Sequence, residues 1–517
     1  MRINKIAAAG FFILELFTLI TVKAQVSSAA IKKPGTNPHK EIVEFKLATV
    51  LQSDMVIQQG KPFKVWGKAP AGDTIIIKSD WNKNVTLAIS DRNNRWQGQI
   101  SVPAARSNDF SPHTLIFTHK NSSVKLKNIL IGEVWLCSGQ SNMDMELKPF
   151  LPWLQGVIDY EKEIAAANYP AIRLINIRTD FKAEPQEEAK GTWKICTPEN
   201  AKDFSGVAYY FARKIHNELK VPVGLVVPCV GGSGAQAYTS REVLSSDPVL
   251  KEKYLDPYDN SPVSKEKLDS VVTFEKLVRP TLLYNAMIHP LKNISIHGFL
   301  WYQGESNKDD KGLYTRLNTA MIEGWRKDFN QGNLPFYFVQ VAPYNWEQND
   351  STAYNYAIFR EAQEAILQKT KNAGMVVTMD VGEANDIHPR NKKAVGERLA
   401  FIALNNTYGF KNIVYQGPKF SKFKVDKGYV KVSFVSETIG SGLMTSDNRP
   451  PRHFYLAGED KLFHLATAKI VNNQIWLQSE KVKNPVAIRY AFTNYPITNT
   501  ANKEGLPMVP FRTDSWE

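Results

Sequence analysis

The sequence predicts an α/β protein, a doubly wound parallel sheet flanked by N-terminal and C-terminal β-sandwich modules. Three observations carry this. Between residues 131 and 410, short apolar runs suited to buried strands alternate with helical patterns, the signature of strand–helix–strand units. Across 45–130, short alternating runs recur about every ten residues with turn residues between them and no helical period. Beyond Gly417-Pro418 the alternating pattern returns, predicting a second β module over 411–517. A chain of 517 residues is long enough for two to four domains at roughly 100–200 residues each. Its 43% hydrophobic and 22% charged residues are globular proportions that exclude disordered, collagenous and coiled-coil classes.

In chain order, Arg2 and Lys5 precede an apolar run from Ile6 to Val22, and Ala24 stands before Gln25. This reads as a cleaved secretory signal over 1–24, followed by a polar leader over 25–44. No later segment approaches the roughly 20 apolar residues of a membrane span, so the mature chain is expected to lack one and to be periplasmic or secreted. Removing residues 1–24 takes away three cations and one anion and lowers the net charge from +13 to +11. The lysines and arginines are scattered, without a basic block or a nucleic-acid motif, so no nucleic-acid partner is expected. Three cysteines (Cys137, Cys196 and Cys229) are too few for a disulfide scaffold, and their odd number leaves at least one thiol unpaired.

The N-terminal module takes its strands from 63–67, 73–78, 85–89, 95–100 and 114–118. The α/β domain, 131–410, takes strands from 134–137, 223–228, 298–302, 336–341 and 375–379, and helices from 207–219, 313–328, 359–368 and 392–405. In such a sheet the ligand site lies at the carboxyl ends of the strands. The C-terminal module takes strands from 429–434, 474–479 and 486–490.

Four places in the α/β domain combine a strand end with reactive side chains. At 135–143 the run W-L-C-S-G-Q-S-N-M leads a buried strand through Gly139 to Ser141, where a serine can present its Oγ beside free backbone amides; the same position suits a helix cap. At 231–234, Gly231 and Gly232 can expose an amide or simply make a turn, and Ser233 is a rival nucleophile. At 301–307, W-Y-Q-G-E-S-N places Gln303 and Glu305 at a strand end. At 380–388, D-V-G-E-A-N-D-I-H gives His388 the best general-base context of the nine histidines, with Asp380, Glu383 and Asp386 near enough to orient its ring. No H-E-x-x-H or C-x-x-C spacing points to a metal.

Together these motifs resemble the sialate O-acetylesterase family of SGNH-type carbohydrate esterases. L-Y-N-A-M-I at 283–288, R-E-A-Q at 360–363, D-I-H-P at 386–389 and flanking runs in both β modules extend the likeness over nearly the whole mature chain. The resemblance implies an SGNH-hydrolase-like fold, no metal or organic cofactor, and an acetylated carbohydrate as substrate. It also implies Ser141 as nucleophile, His388 as base, and an oxyanion hole made from the amides of Ser141 and Gly232 with the Gln303 side chain. Gln140, Asn142, Glu305, Asn285 and Arg390 are expected as substrate or supporting residues, with Arg390 a partner for a sialic carboxylate or a surface charge.

The wider pattern has an Asp three positions before the histidine, where this chain has Asn385. Asp386 is therefore the first candidate for the acid. A backbone carbonyl, Glu383 and Glu305 are the alternatives. The expected activity is removal of O-acetyl groups from acetylated sugars, foremost 9-O-acetylated sialic acid, with acetylated xylan as the alternative substrate. A non-catalytic glycan-binding protein, using Trp66, Trp81, Trp96 and Trp476, is the rival class.

Overall fold

The computed structural model describes residues 43–516 apart from Asn349. The expected signal peptide, and all but the last two residues of the expected leader, lie outside the described residues. The protein is mixed α/β, with one large mixed sheet and several smaller antiparallel sheets.

Seven strands form the core of the large sheet: β1 (Ser122–Gly139), β2 (Tyr169–Ile177), β3 (Gly191–Cys196), β4 (Val223–Val227), β5 (Gly298–Tyr302), β6 (Phe336–Val339) and β7 (Ala373–Val376). Their order is β3-β2-β4-β1-β5-β6-β7, parallel throughout except for β3, which pairs antiparallel with β2 at the edge. Every residue of β4, β5 and β6 is buried, which is why these segments read as continuous apolar runs rather than alternating ones. Beyond β1 the chain first builds one side of the sheet, through β4, and then the other, from β5. The strand order thus reverses around β1, and sheets of this kind place their ligand site at the carboxyl ends of the strands flanking such a reversal, here β4, β1 and β5.

After the one-turn helix α1 (Ser141–Asp144), the main helices are α2 (Gly206–Leu219), α3 (Gly312–Phe329), α4 (Asn355–Lys369) and α5 (Lys392–Ile402). Ser205 caps α2 by accepting from the Ala208 amide, and Asn391 caps α5 by accepting from Ala394. Alternate residues along each strand feed two cores. Trp135 and Cys137 pack with α2 and α5, whereas Val134 and Leu136 share a core with α3 and α4. Helices therefore cover both faces.

N-terminal to the central sheet, Lys46–Leu47, Phe63–Lys68 and Arg95–Ile100 form a three-stranded sheet. Thr74–Ser79, Thr86–Ile89 and His113–His119 extend the first half of β1. Residue 130, the expected module boundary, lies inside β1, an 18-residue strand that runs from this sheet into the central one. Trp66 and Trp96 are buried in the core. Toward the C-terminus, one four-stranded antiparallel sheet holds Phe420–Asp426, Tyr429–Phe434, Gln474–Gln478 and Thr467–Val471; a second contains Phe454–Ala457 and Ala487–Tyr490. All three cysteines are unpaired and buried. Among the described residues, no helix is long and apolar enough to cross a membrane.

Candidate active site

The carboxyl ends of β1, β4 and β5 bring three of the sequence motifs together, and the loop between β7 and α5 adds the fourth. At the end of β1, Gly139 adopts φ 142°, and a Cβ there would stand 2.1 Å from the Tyr302 carbonyl oxygen, so only glycine lets the two strands stay this close while the chain turns into α1. Ser141 is the first residue of α1, and its amide has no protein acceptor among the described residues. The same holds for the amide of Gly232, which turns after β4 with φ 75°. Gly231 lies against Ser141: a Cβ on it would be 3.5 Å from the Ser141 Cβ.

His388 Nε2 lies 2.9 Å from Ser141 Oγ, across 247 residues of sequence. On the other side of the ring, Nδ1 lies 3.4 Å from Asp386 Oδ1. That same oxygen accepts a 2.8 Å hydrogen bond from the His388 amide. The Asp386 carboxylate thus turns back toward its neighbour's backbone, so that one oxygen meets both the His388 amide and the ring. A 3.4 Å contact is long for a hydrogen bond, as such contacts often are in a free enzyme before substrate tightens them. Burial lowers the His388 pKa, Lys392 lowers it further, and Asp386 opposes both. The neutral ring, the form able to accept a proton, is therefore favoured at neutral pH. Asp380 is instead held bidentately by Arg398, and Glu383 accepts the Arg390 amide.

Gln303 is fully buried, and its Nε2 points at Asn307 Oδ1 (2.7 Å), Ser233 O (3.1 Å) and Gln140 Oε1 (3.1 Å). With two hydrogens and three protein acceptors, it has no donor free for an oxyanion. Gln303, expected in the oxyanion hole, joins the motifs together through these bonds. Gln140 does the same from β1, its Oε1 accepting from the amides of Gly304 and Ser306. Ser233 is fully buried with its Oγ donating to Val230 O, so it caps the glycine turn and is not presented to a substrate.

Asn142 is buried and donates to Glu305 Oε1 (2.6 Å) and to the Ile387 carbonyl (3.1 Å). Asn285 bridges the carbonyls of Lys182 and Ala183. The Arg390 guanidinium donates to the carbonyls of Gly156 and Val157, which uses it to hold that loop beside His388. Sequence reasoning missed three residues. Lys392 is wholly buried and donates to Asn142 Oδ1; a cation opening a helix opposes the helix dipole, and that mismatch was its only signal. Asp144, one turn after Ser141, accepts from Cys229 Sγ, and burial pushes its pKa up to about 6. The ring of Phe274, 75% exposed, lies beside Gly232, its Cε1 standing 3.0 Å from where a Cβ would be. Among the described residues, no group of three or more His, Cys, Asp or Glu is placed to hold a metal ion.

A hydroxyl against an imidazole, an imidazole against a carboxylate, and two amides without acceptors form an arrangement suited to acyl transfer. Comparison with known proteins agrees. A family model described as carbohydrate esterase, sialic acid-specific acetylesterase, matches residues 131–405. Sialate O-acetylesterase of Mus musculus is 28% identical over 510 residues, covering 88% of this chain and 90% of that protein. The Rattus norvegicus protein of the same name is 30% identical over 430 residues, covering 74% and 77%. Among solved structures, a carbohydrate acetylesterase from Xanthomonas citri superimposes with a TM-score of 0.79 at 31% identity, covering 91% of this chain and 100% of that one. The chain belongs to the sialic acid-specific acetylesterase family of carbohydrate esterases, and is a carboxylic ester hydrolase.

Proposed function

We propose that this esterase removes O-acetyl groups from sugars through an acyl-enzyme on Ser141, with 9-O-acetylated sialic acid as its foremost substrate. The 2.9 Å contact between His388 Nε2 and Ser141 Oγ carries the mechanistic reading. His388 takes the Ser141 proton as Oγ bonds to the acetyl carbonyl carbon, and the carbonyl oxygen becomes an oxyanion facing the amides of Ser141 and Gly232. The C–O bond to the sugar then breaks, and the sugar hydroxyl leaves with the proton from His388. Water, deprotonated by His388, attacks the acetyl-serine; acetate departs and Ser141 regains its proton. Asp386 holds the ring and stabilises the imidazolium, while Gln303 and Gln140 keep the three strand-end loops in register.

The names of the mouse and rat relatives support sialic acid as the sugar. The reading includes an SGNH-type sheet over 131–410, β modules over 45–130 and 411–517, and export after cleavage of residues 1–24. Acetate release from an aryl acetate, from 9-O-acetylated sialic acid and from acetylated xylo-oligosaccharides should be compared for wild type and Ser141→Ala. The variant should lose all three activities, and the sialic acid ester should be the better sugar substrate. Wild-type rates in the variant would refute the mechanism; preference for xylo-oligosaccharides would refute the substrate and leave the mechanism standing.

A further inference from the structure

We propose that Lys392 is a positioning residue for the hydrolysis: it fixes the orientation of the Asn142 amide, through that amide holds the backbone carrying His388, and turns its charge toward the ring. The proposal rests on the reading of Ser141 and His388 given above.

Asn142 follows Ser141 directly, and its side chain links the two halves of the site. Its Nδ2 spans Glu305 Oε1 and the Ile387 carbonyl, the peptide unit leading into His388, while its Oδ1 accepts from Lys392 Nζ at 2.5 Å. An amide has two faces of opposite character. With an ammonium at one side and a carboxylate at the other, only one orientation avoids placing oxygen against oxygen and N–H against N–H. Lys392 and Glu305 thus decide which way Asn142 faces, and that choice supplies the donor to Ile387 O.

The surroundings show a site built for this. The lysine stem runs under the start of α2, where a Cβ on Gly206 would stand 3.3 Å from Lys392 Cβ, and its ammonium lies 5.5 Å from the centre of the Tyr302 ring. The ionisable groups facing it are Glu305 after β5 and Asp386, Glu383 and His388 from the loop before α5; the start of α2 brings Gly206. Glu305 is itself buried, and its Oε2 has no partner among the described residues, so no other cation neutralises that carboxylate at close range. Burial pushes Lys392 down to about 7, against the pull of the three carboxylates. It is therefore charged through the acidic range in which His388 titrates, and a cation there opposes protonation of the ring.

The test uses the full-length protein with Lys392→Met and Lys392→Gln, measuring kcat, KM and the pH dependence of kcat/KM on an aryl acetate, alongside thermal melting. In Lys392→Met, kcat should fall about 10²-fold, the scale of a small misplacement of reacting groups, with KM changed little. Lys392→Gln can still donate to Asn142 Oδ1 and should recover part of kcat. In both, the acid limb of kcat/KM should move to higher pH, because the repelling charge is gone. The Gln variant carries the test if the Met variant does not fold. A wild-type kcat in folded Lys392→Met, or an unmoved acid limb in either folded variant, would overturn the proposal. Ser141→Ala in the same assay separates the two failures: wild-type activity there removes the underlying reading, while an inactive Ser141→Ala beside unaffected Lys392 variants removes this proposal alone.

Discussion

His388 is balanced between a carboxylate that favours its cation and burial and a lysine that oppose it, with the net effect downward from 6.5. The acid limb of kcat/KM should therefore lie below pH 6.5, because the free enzyme needs the neutral ring and keeps it to lower pH than an ordinary histidine does. Asp386→Asn should move that limb lower still, since the lost anion was raising the pKa, opposite in sign to the Lys392 variants. It should also cut kcat by up to about 10⁴-fold, the loss known for a protease triad, measured by pre-steady-state acyl transfer. Asn385→Asp, at the position of the wider pattern's acid, should restore little while Asp386 already occupies the turn beside Nδ1. Ser141, His388 and Asp386 stood out in the sequence as candidates because short motifs after buried strands carry them. The occupation of Gln303 and the burial of Lys392 were not, because both depend on partners up to 250 residues away.

Two of the places where elements meet without room for a side chain lie close to the site. At Gly139, alanine would drive a Cβ into the Tyr302 carbonyl at the seam between β1 and β5. Gly139→Ala should cost more than the roughly 1–3 kcal/mol of a strained dihedral alone, read as a loss of melting temperature together with activity. At Gly396 in α5, a Cβ would stand 2.6 Å from the Val207 carbonyl of α2. Gly396→Ala gains helix propensity but must push the two helices apart, a net loss of about 1–3 kcal/mol by denaturant unfolding. Because α5 begins at Lys392, kcat should fall with it. The main helices were legible from their periodicity and β4, β5 and β6 from their continuous apolar runs, and α3, expected over 313–328, spans Gly312–Phe329; β2 and β3 were not expected. The continuity of β1 across residue 130 was not, since local pattern does not record which sheet each half of a strand joins.

Across the whole molecule, the C-terminal β region is fastened to the catalytic sheet by polar contacts that apolar pattern cannot reveal. Arg360 of α4 is fully buried and donates to the carbonyls of Thr493 and Asn494, while Asn494 Oδ1 accepts the Tyr356 amide at the start of the same helix. Arg512 adds a bidentate pair with Glu361. Arg360→Leu leaves the Thr493 carbonyl without its donor, and Asn494 O with the Tyr344 amide alone, and should destabilise the protein by roughly 1–3 kcal/mol, measured by denaturant unfolding. Arg512→Ala, which breaks a more exposed pair, should cost no more than about 1 kcal/mol.

The sequence by itself determined the class of fold, the order of its β and α/β regions, and the chemistry-bearing strand ends. These are local properties: side-chain periodicity reports burial, and a glycine before a serine at a strand end reports a turn. The tertiary structure decided which of the polar groups remain free to act. Gln303 carries a donor in the sequence but has none to spare once Asn307, Ser233 and Gln140 surround it. Lys392 reads only as the first residue of a helix until α2 and Tyr302 close over it and Asn142 takes its hydrogen bond. A polar side chain's role depends on the partners that compete for its hydrogens and on the water excluded around it, and both are set only when distant segments pack.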